Sequence, residues 1–335
     1  MARAGLRNHW FLIALGLVFA VGFFGGGRLE FLLGWETFRG GIVFAVMWAT
    51  GVTLRAEAVR RSVASPLPAV LAIGINLAVV PAMSLAVIRV APEWLIPPRL
   101  AGGLFVATLV PCTLASAAVW TRRAGGDDSV ALLTTVVTNL ACVFVVPAGV
   151  WLGLGQSAEV SATAQMAKLT LLVAVPLLLA QAMRAGGLAA WADRHKSRLG
   201  TASQTGILAM VLFGAIASSR SVAGGSAVGG GWFSVPTVIA AGIVIHLGVL
   251  WLGVAVARAL GVDRPRQIAV GFAGSQKTLM IGLQIAIDSG VSVVPMIAYH
   301  LAQLFLDTLV ADRWRATSGS VPARGPGVNG IRKGV

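Results

Sequence analysis

The chain has 335 residues, of which 57% are apolar and 11% charged, and it carries a formal net charge of +14. That balance leaves too little polar surface to cover a water-soluble domain, and apolar runs of membrane-crossing length recur almost throughout, so a soluble catalytic domain is excluded. The Lys and Arg residues lie in short segments between those runs rather than on one polar face, which argues for membrane topology and against nucleic acid.

In chain order, Gly, Pro and charge clusters divide the sequence into apolar spans near 9–26, 38–54, 66–90, 99–121, 129–154, 163–184, 203–219, 235–258, 267–288 and 291–311. Arg3 and Arg7 before the run from Trp10 to Phe24 have the outline of a signal peptide. No small-residue cleavage site follows, so the run reads as an uncleaved first helix. Alternate connections carry the basic clusters: Arg55, Arg60 and Arg61; Arg122 and Arg123; Arg184 to Arg198; Arg258 to Arg266; and the tail from Arg313 to Lys333. The other side holds Arg28, Arg39, Arg89, Arg99, Lys168 and Arg220, mostly at span edges. This asymmetry predicts a multi-pass protein of the cell inner (plasma) membrane with both termini cytoplasmic.

Five spans on each side of a long basic loop at 185–202 force the halves into opposite orientations. The expected fold is an all-α membrane protein of ten transmembrane helices in an inverted five-plus-five repeat. Repeat one covers 9–154 and repeat two 163–311; division at the basic loop gives 1–184, 185–311 and a cytoplasmic basic tail at 312–335 with no fixed structure. Gly25-Gly26-Gly27 and Gly224 to Gly231 read as flexible loops, because neither lies between a strand and a helix as a phosphate loop would.

The fourth and ninth spans, partners under the repeat, are the most interrupted. Pro111 removes a backbone donor within the fourth, which makes either a simple kink or a break tolerated only where protein or a water-filled cavity satisfies it. In the ninth, Ser275, Gln276, Lys277 and Thr278 stand between Gly271, Gly274 and Gly282. Lys277 is too deep to reach water, and a charge there costs at least roughly 2.5–3.5 kcal/mol, so it marks either an ion or substrate pathway or a structural ion pair. No carboxylate is evident at that depth. The amine is therefore left with a depressed proton affinity, a long reach to Asp307, or an anionic ligand as partner.

Thr134, Thr135, Thr138 and Asn139 in the fifth span offer either oxygen ligands for a cation or hydrogen bonds to a neighbouring helix. Tyr299, His300, Gln303 and Asp307 in the tenth follow helical spacing and form one polar stripe facing protein, for proton relay or helix contact. Asn76 and His246 read as isolated packing contacts. Cys112 and Cys142 lie in apolar runs, where a buried thiol is expected rather than a disulfide. Nothing resembles a metal-ligand spacing or a Ser, His and Asp arrangement, so neither an enzyme nor a bound cofactor is expected.

These segments carry a resemblance. Pro111-Cys112-Thr113 to Ser116, Thr121 to Asp127, Thr138-Asn139-Leu140, Gly274 to Leu279, and Tyr299 to Gln303 are similar to the bile acid:sodium symporter family, closest to its bacterial branch and the atypical vertebrate member. The resemblance spans nearly all ten runs. It implies a panel domain of spans one, two, six and seven, and a core domain in which discontinuous helices four and nine cross. It also implies secondary transport of a small organic anion by alternating access at that crossing, with sodium or a proton as coupling ion. The residues and the resemblance together give as expected substrate and ion positions Thr113, Ser116, Thr135, Thr138, Asn139, Ser275, Gln276, Lys277, Thr278, His300 and Gln303. The family's sodium ligands carry over only in part: Ser116, Thr135 and Gln276 match, whereas a family Asn is Ala117 and the acidic ligand falls on Phe272. The ammonium of Lys277 is then positioned to replace a bound cation. Rival readings are efflux of arsenite or another inorganic anion through Cys112, and a non-transporting regulator of ion flux.

Overall fold

The computed structural model describes residues 2–114, 116–154, 161–223 and 233–318. Every element among them is helical: α1 Ala2–Phe24, α2 Gly26–Leu29, α3 Glu36–Gly51, α4 Ala56–Val63, α5 Leu67–Gly74, α6 Val80–Val90, α7 Pro98–Leu109, α8 Ser116–Arg123 and α9 Asp128–Leu154. There follow α10 Ala162–Leu169, α11 Val175–Met183, α12 Ala189–Arg194, α13 Lys196–Ala223, α14 Ser234–Ala259, α15 Arg264–Ser275, α16 Leu279–Asp288 and α17 Val294–Ser318.

Six continuous helices are long and apolar enough to cross a bilayer: Leu67–Val90, Asp128–Leu154, Ala162–Arg194, Lys196–Ser219, Ser234–Ala259 and Val294–Ala316. A seventh candidate is the pair Ile13–Phe24 and Gly26–Gly34, bent by 83°. On α9, Phe144, Trp151 and Leu152 are 63%, 63% and 72% exposed, an apolar face whose natural solvent is lipid. The protein is a multi-pass membrane protein.

Proline shapes two of the long helices. Pro81 and Pro176 each follow a five-residue π-helical turn, Ile75–Val79 and Thr170–Ala174. A proline ring clashes with the carbonyl four residues before it, and widening the preceding turn relieves the clash while keeping the helix continuous.

Three expectations about loops are corrected. The segment 185–202 is helical, not a loop: a π turn at Arg184–Leu188, α12 and the start of α13 fill it. Gly187, at φ 104°, kinks the chain without ending the helical path, and Arg184 holds the bend by donating to Val52 O at 2.9 Å and pairing with Asp193 at 3.2 Å. Gly25 to Gly27 open short helices, α2 and a 3₁₀ turn Glu30–Gly34, rather than a flexible loop. The tail expected from 312 is helical as far as Ser318. Residues 319–335, like the Gly224 to Gly231 stretch, lie outside the described residues.

Helix packing falls into two sets. α1 packs along α13, which also packs on α3, and α3 packs on α11. α14 lies against α15 and α17, and α15 against α5, α8 and α9. The sets meet where α10 touches α9 and where α16 touches α13 and α3.

Candidate functional site

Two interruptions lie in the second set, at the positions expected. α7 ends at Leu109, after which Val110 is extended with φ −65° and ψ 157°, and α8 starts only at Ser116. α15 ends at Ser275, Gln276 and Thr278 are extended, and α16 starts at Leu279. The breaks touch: Thr278 N donates to Pro111 O at 2.9 Å. Asp127 N donates to Pro265 O at 2.9 Å and ties the turn after α8 to the first turn of α15.

A broken helix orphans carbonyls that cannot remain unpaired away from water, and polar side chains of neighbouring helices take up those of α15. Asn76 Nδ2, presented by the π turn between α5 and α6, reaches Ala273 O, Gly274 O and Gln276 O at 3.1, 3.3 and 2.9 Å. Tyr299 donates to Ser275 O at 3.2 Å. Gln303 grips Lys277 twice, accepting from its N–H at 2.9 Å and donating to its carbonyl at 2.8 Å. The other break is served by α9: Asn139 Nδ2 donates to Cys112 O at 2.8 Å, Thr135 Oγ1 to Thr113 O at 3.2 Å, and Cys112 N to Thr138 Oγ1 at 3.2 Å.

Lys277 lies at the centre, with 1% of its surface exposed. Its Nζ donates to Asn76 O at 2.5 Å, Asn76 Oδ1 at 3.2 Å and Val110 O at 3.0 Å. The long reach to Asp307 does not occur. That carboxylate, fully buried, sits 2.9 Å from His246 Nε2 and accepts from Gln276 Nε2 at 2.5 Å. The amine is held by backbone carbonyls and one amide, a shell of negative dipoles without a carboxylate.

The remaining expected positions distribute as follows. Ser116 Oγ donates to Gln276 Oε1 at 2.9 Å and lies 3.0 Å from Thr113 Oγ1, joining the two breaks. Ser275 turns back on its own helix, donating to Gly271 O at 2.9 Å. His300 Nδ1 lies 2.9 Å from Gln303 Nε2. The stripe of Tyr299, His300, Gln303 and Asp307 is buried throughout. Asn76 and His246 are not isolated contacts: the first caps α15 and accepts from Lys277, and the second pairs with Asp307. The midspan Asn near the proline-driven π turn was the available signal for the first; nothing in the sequence pairs His246 with a residue 61 positions away.

The donor set fits a sodium ion poorly. Ser116 and Gln276 hydrogen-bond each other, and Thr135 donates to Thr113 O and lies 3.5 Å from Cys112 Sγ. Phe272, where the resemblance implies an acidic ligand, stacks edge-on against Trp314 with centroids 5.3 Å apart in an apolar cluster with Ala124 and Ile268. A hard cation needs several oxygen ligands free to turn toward it. Among the described residues no cluster of three His, Cys, Asp or Glu side chains is placed to hold a metal. Both cysteines are free and buried.

A crevice of about 650 Å³ reaches the crossing from one side. One wall is Thr50 of α3 with Ser203 and Gln204 of α13; the other includes Thr113, Thr278 and Met280. Thr278 stands at the N-cap position of α16 without a side-chain capping bond, and Thr113 Oγ1 accepts from Ser116 N at 3.3 Å at the start of α8. The crevice therefore ends on two helix N-termini, whose positive dipole ends favour an anion. Arg55, Arg61, Arg122 and Lys196 line its outer part.

Comparison with known proteins identifies a transporter family. The family model described as the SBF-like CPA transporter family matches residues 9–316. YfeH of Escherichia coli (strain K12) is 26% identical over 235 residues, 68% of this chain and 70% of that protein. The Xenopus tropicalis protein named sodium/bile acid cotransporter 7 is 23% identical over 327 residues, 91% of each chain. The "Probable sodium/metabolite cotransporter BASS4, chloroplastic" of Arabidopsis thaliana is 28% identical over 293 residues, 79% of this chain and 63% of that protein.

Proposed function

The chain belongs to the SBF-like CPA transporter family, and on that premise we propose that it is a secondary transporter carrying a small organic anion across the cell inner membrane. The observation that carries this reading is the contact of the two broken helices, Thr278 N to Pro111 O, with the Lys277 amine on one side and a crevice ending on helix N-termini on the other. In this reading the helices form ten spans in an inverted five-plus-five repeat. The set around α13 is the panel and the set around α15 the core. The crevice between them is the inward-facing pathway, because its rim carries Arg55, Arg61, Arg122 and Lys196 and basic residues stay on the cytoplasmic side.

The anion binds against the N-termini of α8 and α16, with the Thr113 and Thr278 hydroxyls beside it. The carbonyls at the opposite helix ends, Val110 O among them, hold the amine of Lys277 in place of a coupling cation. Rocking of the core then turns the same site to the other face. The relatives' names couple bile acid or metabolite transport to sodium; here the organic anion is carried over and sodium is not. Transport without sodium, or in exchange for protons through Lys277, follows from the ammonium's position.

Purified protein in liposomes, given radiolabelled carboxylates such as benzoate and taurocholate, tests the reading. Uptake of at least one that is indifferent to sodium and lost in Lys277→Ala supports it. Uptake that rises with sodium and survives Lys277→Ala contradicts it. Arsenite transport abolished by Cys112→Ser, with no carboxylate moved, would assign the site to an inorganic anion instead.

A further inference from the structure

On the face away from the crevice, one carboxylate is held between two cations. Asp288 ends α16, and its two oxygens are gripped separately: Oδ1 lies 3.7 Å from Arg39 Nη2 of α3, and Oδ2 lies 2.6 Å from Lys168 Nζ of α10. Gln284 adds its amide to both oxygens at 2.9 and 3.0 Å. Arg39 is 3% exposed, anchored through Nη1 to Leu33 O at 3.0 Å, and its Nε has no hydrogen-bond partner. Charge balance does not explain the carboxylate's own position. An aspartate at a helix C-terminus faces the negative end of the dipole and is unfavourable there unless cations offset it.

The cations and the carboxylate come from different helices of the two sets. α3 packs on α13, and α10, which also touches α9, runs without a break into α11 packed on α3, whereas α16 continues the broken helix of the crossing. Arg39 is near the start of α3 and Thr50, on the crevice wall, near its end, so about 16 Å of helix separates the two faces. Between them the sets are in direct contact: a Cβ on Gly214 of α13 would lie 3.1 Å from Leu283 Cδ2 and 3.4 Å from Val293 Cγ2. Any motion that opens this face carries Asp288 away with α16 and leaves Arg39 and Lys168 together on the other wall.

We propose that Arg39 and Lys168 form a carboxylate-binding site on the face opposite the crevice, occupied in this state by Asp288 as a tethered surrogate for the anion the protein carries. The proposal rests on the transporter reading, and it deepens that reading by assigning the second mouth a receiving site for carboxylates. A tethered competitor acts at high effective concentration, so a free carboxylate enters only when α16 withdraws. Anion arrival and opening of this face are thereby linked.

Binding of radiolabelled benzoate to the purified full chain tests the site without any transport step, so a protein that moves no solute still gives a readable result. Asp288→Asn removes the surrogate and is expected to tighten benzoate binding at least fivefold over the unsubstituted protein at equal ionic strength. Adding Arg39→Gln should return it to the starting value. A smaller gain, or a gain that survives Arg39→Gln, overturns the proposal. If Asp288→Asn does not fold, Lys168→Gln, at a side chain 37% exposed, is the second variant. It loosens the latch and should raise hydrogen–deuterium exchange across 279–293 severalfold, and unchanged exchange there overturns the proposal equally.

Discussion

Asn76→Ala should unfasten the crossing from one side. The Asn76 amide has two hydrogens shared among three carbonyls at the end of α15, and its oxygen accepts from Lys277 Nζ. Removing the amide orphans about two buried acceptors at about 1–3 kcal/mol each and takes one of the amine's acceptors as well. The expected loss is roughly 3–5 kcal/mol, large for one substitution. Reversible unfolding in mixed detergent micelles measures it, with Thr201→Ala, at an exposed hydroxyl bonded within its own helix, as a control expected within about 0.5 kcal/mol of the parent. Asn76→Asp separates the two roles of the side chain. It keeps an oxygen for Lys277 but sets a carboxylate against three carbonyls, so it should not rescue. A stability of Asn76→Ala within about 0.5 kcal/mol of the parent would refute the capping argument.

Gln303→Leu leaves the N–H of Lys277 unpaired and removes one of the donors to its carbonyl, and should cost roughly 1–3 kcal/mol in the same unfolding assay. Gly103→Ala places a methyl 2.1 Å from the backbone oxygen of Ser292 and 3.0 Å from Pro295, which forces α7 off the start of α17 and should cost about 1–3 kcal/mol. Gly27→Ala meets nothing within 4 Å and should leave the midpoint unchanged. Thermal unfolding of the pure protein should be the same in sodium and in choline chloride, because Ser116, Thr135 and Gln276 at the matching positions already have hydrogen-bond partners in the protein; a rise of several degrees specific to sodium would contradict that.

Much of this architecture can be read from the sequence because bilayer thickness fixes the length of an apolar run, and a proline or a lysine inside one stands out. A helix underlies every run, and both breaks lie at Pro111 and Gln276 to Thr278. What stays hidden depends on which helices become neighbours. Asn76 and Lys277 are 201 residues apart, and no periodicity within either helix records that they meet. Asp307 reads as lying toward a span end, yet α17 continues to Ser318 and places the carboxylate in full burial beside His246. The segment 185–202 misleads for another reason. Its charges and Gly186-Gly187 have loop composition, but Ala189 to Ala192 favour helix, and the contacts of Arg184 with Val52 and Asp193 fix the turn.

The central claim is that the Lys277 amine lies where the two helix breaks meet. Solid-state NMR on protein carrying ¹⁵N at lysine Nζ and ¹³C at valine carbonyls, in lipid bilayers, measures this directly. With Nζ 3.0 Å from Val110 O, a strong dipolar coupling between the amine and a valine carbonyl is predicted, and it should vanish in Lys277→Met. An amine resonance with no valine carbonyl coupling, and with rapid hydrogen exchange against bulk water, would contradict the account.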